Sequence, residues 1–225
     1  MKIAIAGKAG SGKSTAANYL VEQGFQKRAL ADKLNELCSL HREIHDNFEK
    51  DWSEYPELMR HVGDLFPEFP LASRWGVASE LWEVFVSRTP VEGKDRSLLQ
   101  YVGTDIIRGY KDTAWVEYLI RTTDCDDYIV VDDVRFKDEF YMLEEAGWTM
   151  VLCAVPDDVR ASRLEAAYGR PLTEEEANHP SERDLDDLPA CEWDWILNTA
   201  GAVETETTQV QELVDYLIHK DSNHA

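Results

Sequence analysis

The chain has 225 residues, with 44 Asp and Glu against 23 Lys and Arg and a formal net charge of −21 at pH 7. That length suits one α/β domain with room for an inserted lobe, and the acidity argues against nucleic acid as a partner, because a polyphosphate backbone would be repelled. The cysteines Cys38, Cys125, Cys153 and Cys191 form no C-x-x-C pair, which excludes an evident zinc site or disulfide framework.

No apolar run approaches the ~20 residues of a membrane helix. Met1 leads straight into an apolar run, so no leader peptide is expected and a cytoplasmic protein is the natural reading. Residues 3–6, Ile-Ala-Ile-Ala, have the pattern of a strand buried in a parallel sheet. The segment Gly7-Lys8-Ala9-Gly10-Ser11-Gly12-Lys13-Ser14-Thr15 follows and fits G-x-x-x-x-G-K-[ST]. Residues 16–21 then read as helix, with Gly24 just past its end. A glycine-rich turn between strand and helix is a phosphate-binding loop. Gly7, Gly10 and Gly12 let the backbone curl, so that loop N–H groups, those of Ala9 and Ser11 included, point inward at an anion beside the positive end of the helix dipole. Lys13 adds a point charge for the outer phosphates. The Ser14 hydroxyl can ligate Mg²⁺, with Thr15 in support. The loop predicts ATP-like nucleotide and Mg²⁺, but not the fate of the phosphate.

Residues 25–30 are a candidate second strand, and Asp32 a candidate cap for the helix after it. Residues 41–94 hold Trp52, Trp75 and Trp82, several prolines and alternating charges. They are too long and aromatic for a loop and read as an inserted helical lobe. The tryptophans are expected in its core, with base stacking or a dimer face as alternatives. His41 and His45 share a helix face but lack an acidic or cysteine constellation for a metal. In residues 96–108, Leu98, Leu99, Tyr101, Val102 and Ile106 repeat with helical period, interrupted by Arg96, Gln100, Asp105 and Arg108. Residues 115–120 begin another helix.

Residues 128–133, Tyr-Ile-Val-Val-Asp-Asp, are the second clear buried strand. Its terminal aspartates fall at the strand's carboxyl edge, where ligands of open α/β sheets sit. A carboxylate there can order a Mg²⁺ shell or accept a hydroxyl proton. Arg135 follows at the same edge, as a phosphate contact or as an ion pair to Asp132 or Asp133. A helix over 136–146 and a strand over 148–155 come next. A helix from Asp157 then carries Arg160 and Arg163 on one face. Residues 170–182 are polar and proline-marked, a mobile lid with arginines or a solvated loop. A strand at 195–198 and an amphipathic helix over 210–218 close the chain, and the tail from Lys220 is expected to fray. The alternation predicts a single α/β domain with a parallel, five-stranded sheet. Residues 1–40 and 95–225 would be its core, 41–94 the lobe and 160–182 the lid.

Three stretches carry a narrower likeness: residues 7–15, the Leu98-to-Arg108 phrase with Trp115 downstream, and Val131-Asp132-Asp133-Val134-Arg135-Phe136 with Glu139. His179-Pro180-Ser181-Glu182 and the ending around Asn198 add to it. Together they resemble the bacteriophage deoxynucleoside monophosphate kinase family, within the P-loop kinases that act on nucleoside monophosphates. The likeness spans most of the chain but not residues 41–94. It implies a three-layer kinase fold with a helical acceptor-binding insertion and a lid. It also implies transfer of the ATP γ-phosphoryl group to a deoxynucleoside monophosphate, in the cytoplasm of a host cell. Carried over, Lys13 and Ser14 hold the ATP phosphates and Mg²⁺, and Asp133 is the motif aspartate, with Asp132 as the other candidate. Arg135, Arg108 and Gln100, with Thr104 and Asp105 of the same phrase, hold the acceptor. Arg163, with Arg160 and Arg170, acts from the lid, and Asn198 belongs to the nucleotide site. An acceptor phosphate is already a nucleophile near neutral pH, which favours a Mg²⁺-shell role for Asp133 over proton abstraction. Phosphomevalonate kinase and dephospho-coenzyme A kinase share such phrases and remain alternatives. A GTP-dependent switch lacks its guanine-reading N-K-x-D tetrad here.

Overall fold

The computed structural model describes residues 1–47, 55–124, 127–170, 173, 177–201 and 203–222. Two compact units emerge, Met1–Ala29 with Thr123–Ala225, and Leu30–Thr122. The second is wider than the 41–94 stretch singled out in the sequence, and takes in residues 30–40 and 95–122 as well.

The first unit is built on five parallel strands, β1 (Lys2–Ala6), β2 (Gln26–Arg28), β3 (Ile129–Val134), β4 (Thr149–Ala154) and β5 (Trp195–Asn198), in the order β2-β3-β1-β4-β5. Helices flank the sheet, as the strand–helix alternation predicts. Ile3 and Ile5 are fully buried and cluster with Leu20 of helix α1 (Lys13–Glu22) and with Val210 and Leu213 of the closing helix Val203–Ser222. Phe140 of helix Lys137–Glu145 lies edge-on to Trp193, ring centroids 4.8 Å apart. The β1–β3 register shifts between Ala4 and Ala6, where the chain leaves the ladder to enter the glycine loop. With β1 central and the chain crossing to either side of it, the carboxyl ends of β1, β3 and β4 form the crevice in which such sheets hold ligands.

Two expectations change here. The closing helix starts at Val203, not 210, and runs through Ser222, so the tail stays helical two residues beyond Lys220. Its polar first turns carry no apolar period; they are held by tertiary contact, Glu206 being only 4% exposed. Asp32 is not a cap but the first residue of helix Asp32–Ser39. The capping position falls on Ala31, already in helical φ/ψ, where no side-chain bond forms.

The second unit is helical: Asp32–Ser39, His41–Asp46, Pro56–Leu65, Leu71–Ser87, a run from Arg96 to Tyr110, and Ala114–Arg121. It has its own core, including Leu37, Ile44, Leu58, Leu81, Phe85, Val102 and Ile107. The middle of the Arg96-to-Tyr110 run, Tyr101–Ile107, is π-helical. That widened turn moves the buried stripe to Leu98, then Val102 and Gly103, then Ile106 and Ile107. Tyr101 is thereby shifted off the buried face and stands 38% exposed, with the Arg88 guanidinium 5.0 Å from its ring centre. Gly103 lets Leu34 approach, since a Cβ there would lie 2.7 Å from Leu34 Cδ2, and its carbonyl accepts from Trp115 Nε1 at 3.2 Å.

Trp82 packs against the core and tilts on Tyr55, centroids 4.9 Å apart, whereas Trp75 is 48% exposed. Trp52 and Cys125 lie outside the described residues. His41 and His45 meet the backbone carbonyls of Arg88 (2.9 Å) and Val86 (3.2 Å). Both rings thus fasten the end of helix Leu71–Ser87, and no metal-holding group of three or more His, Cys, Asp or Glu occurs among the described residues.

Candidate functional site

The glycine loop leaves β1 with three left-handed backbones, Gly7 at φ 139°, Gly10 at 79° and Gly12 at 89°. Only glycine adopts these cheaply. At Gly7 space is also closed: a Cβ would fall 2.6 Å from Ser11 Oγ and 2.8 Å from the Cys153 carbonyl of β4. Gly7→Ala is therefore expected to destabilise the fold by roughly 2–4 kcal/mol and to distort the loop. Thermal denaturation checks the first effect, and loss of Mg·ATP binding the second.

Lys13 opens α1 and folds back over the loop. Its Nζ donates to the carbonyls of Gly7 (2.6 Å) and Lys8 (2.8 Å), and the residue is only 7% exposed. Burial, helped by the neighbouring Arg135 charge, pulls its ammonium down to about 8, against the pull of Glu182, Cys153 and Asp132. Keeping Lys13 charged in this loop thus costs on the order of 3 kcal/mol below pH 8. That cost is relieved as pH rises from about 8 toward 10.5. Cys153 beside it is buried and pushed up to about 12, chiefly by desolvation, so it is a neutral thiol wall. Ser14 is exposed on the first turn of α1 and Thr15 half-buried beside it.

At the β3 edge, Glu139 Oε2 accepts from the backbone N–H of Arg135 (2.8 Å) and Phe136 (3.0 Å), fixing the strand-to-helix turn. The Arg135 guanidinium pairs with Glu182 Oε1 at 2.7 Å. This partner differs from the Asp132 or Asp133 weighed from sequence. Asp132 is instead held by Lys27 at 2.7 Å, and its charge is felt at Lys13 and at Cys153. Asp133, the favoured motif aspartate, is half-buried next to it.

Arg163, on helix Asp157–Tyr168, donates to the carbonyls of Thr199 (2.5 Å) and Gly10 (3.5 Å), so it does reach the loop. Arg160 pairs with Asp157 at 3.2 Å and Arg170 is exposed at that helix's end. Of the expected lid, residues 171, 172 and 174–176 lie outside the described residues. Asn198 is exposed and serves its own turn: its Oδ1 accepts from Ala200 N–H at 3.1 Å. The loop contact falls to the next residue, Thr199, whose hydroxyl donates to the Ser11 carbonyl at 2.7 Å.

Two further carboxylates went unnoticed in sequence. Glu206 is buried beside Gly12 of the loop. Burial raises its carboxyl above the usual range, opposed chiefly by the Arg163 charge. Glu182 Oε2 accepts from the Ala9 N–H of the loop itself at 2.8 Å. Between the loop, the end of β4 and Glu182 lies a cavity of about 370 Å³ lined by Lys8, Cys153, Arg160 and Leu185 among others. That is within the size range of small-ligand sites.

In the helical unit, Gln100, Thr104 and Asp105 are exposed and Arg108 half-buried, all on the face of the π-interrupted run opposite its buried stripe. The structure thus groups the loop, Lys13, Asp132, Arg135 and Arg163 within the sheet unit, and the four acceptor candidates within the helical unit.

A parallel α/β sheet with a glycine-rich loop and lysine after its central strand is the class this geometry defines. No family model matches the chain. Over 231 residues the chain is 26% identical to a protein of Acanthamoeba polyphaga mimivirus provisionally named a deoxynucleotide monophosphate kinase, with 95% of each chain covered. Among solved structures, TT1252 from Thermus thermophilus is 22% identical over 94% of each chain, with a TM-score of 0.41.

Proposed function

We propose that the protein is an ATP- and Mg²⁺-dependent kinase that converts a deoxynucleoside monophosphate to its diphosphate. One observation carries the reading: a loop N–H and the Arg135 guanidinium converge on a single anionic group, at 2.8 and 2.7 Å, with Lys13 folded beside them. Converging donors of that kind suit a phosphate oxygen. The name of the mimivirus relative agrees.

In this reading the N–H groups of Gly7, Ala9, Gly10 and Gly12 cradle the ATP phosphates, the Ser11 N–H being turned to the Lys8 carbonyl at 3.1 Å, and Lys13 neutralises the transferred group. Arg163 adds charge from helix Asp157–Tyr168, and the β5 end at Asn198 and Thr199 borders the nucleotide. Exposed Ser14 and the Asp132–Asp133 edge offer hard oxygen donors that fit Mg²⁺, which when bound would neutralise phosphate charge. Gln100, Thr104, Asp105 and Arg108 are the acceptor-binding candidates of the helical unit, and Arg135 is the candidate of the sheet unit. The chemistry asks for positioning and charge neutralisation more than for a strong base. No helix among the described residues is long and apolar enough to cross a membrane.

The direct test is ADP release from Mg·ATP with and without deoxynucleoside monophosphates. Acceptor-dependent release supports the reading. Release that ignores every deoxynucleotide removes it.

A proton signature follows from Lys13. At pH 8 the loop holds Lys13 about half protonated, and triphosphate favours the charged form, so binding should take up about half a proton. Affinity should fall as pH rises above about 8. Titration calorimetry in two buffers of different ionisation heat measures that uptake.

A further inference from the structure

We propose that Glu182 is an internal occupant of the phosphate position, so that nucleotide binding requires its displacement and releases Arg135 in the same event. The proposal rests on the phosphate-loop reading above and adds a gate to it.

The Glu182 carboxylate is bound by two groups that a phosphate would use. Its Oε2 accepts from Ala9 N–H at 2.8 Å, and its Oε1 from Arg135 Nη1 at 2.7 Å. It also helps keep Lys13 charged. The side chain is only 13% exposed, so this is no surface ion pair. The segment around it is fastened to the same region. Asp186 pairs with Lys8 of the loop at 2.8 Å, Asp184 accepts from the Lys137 N–H at 2.7 Å, and Asp187 pairs with Lys137 Nζ at 2.6 Å. The four-residue helix Pro180–Arg183 that bears Glu182 begins on His179, whose ring nitrogen accepts from Ser181 N–H at 3.3 Å.

One N–H cannot serve both Glu182 and a phosphate oxygen, and two anions at one site repel. Ligand therefore binds the fraction of molecules in which Glu182 has swung out, and apparent affinity is reduced by that fraction. Departure of Glu182 also leaves the Arg135 fork without its carboxylate and available to phosphate. The gate thus keeps Arg135 neutralised until nucleotide arrives.

The experiment titrates full-length protein with pyrophosphate and with Mg·ADP at fixed ionic strength, comparing wild type, Glu182→Gln and Asp186→Asn, with melting curves to confirm folding. A resting state favouring the docked carboxylate by about ten to one makes Glu182→Gln bind both probes about tenfold tighter. Asp186→Asn, which loosens the exposed pair to Lys8 and the longer one to Arg183 Nε at 3.9 Å, should act in the same direction by a smaller factor. Equal or weaker binding by Glu182→Gln overturns the gate. A wild type that binds neither probe overturns the phosphate-loop reading itself, a result separable from the first.

Discussion

Lys13→Ala should lower phosphoryl-transfer turnover by about 10³-fold, on the order of 4 kcal/mol, with Tm without nucleotide staying within ~3 °C of wild type. The catalytic loss follows from removing the buried cation of the loop, 7% exposed and aimed across its carbonyls. The near-neutral stability follows from two opposing effects. The substitution abolishes two hydrogen bonds, to Gly7 and Lys8, each contributing about 1 kcal/mol, and leaves a small void. It also relieves a charge whose folded-state pKa is depressed to about 8, a strain of on the order of 3 kcal/mol. Steady-state assays and melting curves test both halves. Turnover above a tenth of wild type would remove Lys13 from the chemistry, and the proton uptake at pH 8 should vanish with the side chain.

Arg135→Ala should also cost about 10³-fold in turnover. The turn that presents it is built by Glu139 on the backbone N–H groups of Arg135 and Phe136, so truncating the side chain leaves the β3 edge in place. The Arg135 charge helps to hold Lys13 low, so in the variant the Lys13 pKa rises from about 8. Proton uptake on nucleotide binding at pH 8 should then shrink, which reports the Arg135 charge beside Lys13. Wild-type-like turnover would void its assignment to the acceptor.

The three central strands were legible in sequence because they are largely buried, which writes them as apolar runs: residues 3–6, 128–133 and 148–155 need no partner information to be seen. The loop was legible because its glycines and lysine answer a local backbone demand, met here by the positive φ of Gly7, Gly10 and Gly12. What escaped is tertiary. Glu182 meets Ala9 across 173 residues and Thr199 meets Ser11 across 188, and no local pattern encodes such a meeting. Thr199 was not singled out for the same reason, since the strand end was visible but not which side chain turns to the loop. Tyr101 was misassigned because an ordinary helical period was laid over a π turn. The Asp132–Asp133 pair was recognised as a carboxylate edge, but Lys27 and the field at Lys13, which single out Asp132, come from elements distant in sequence.

The central claim is tested most directly by identifying the product when protein, Mg²⁺ and γ-labelled ATP meet a panel of acceptors. The panel holds dAMP, dGMP, dCMP, dTMP, 5-hydroxymethyl-dCMP, their ribose counterparts, phosphomevalonate and dephospho-coenzyme A. The account predicts label in at least one deoxynucleoside diphosphate, formed one-for-one with ADP. Label only in the phosphomevalonate or dephospho-coenzyme A product, or no transfer to any acceptor while ATP still binds, would contradict it.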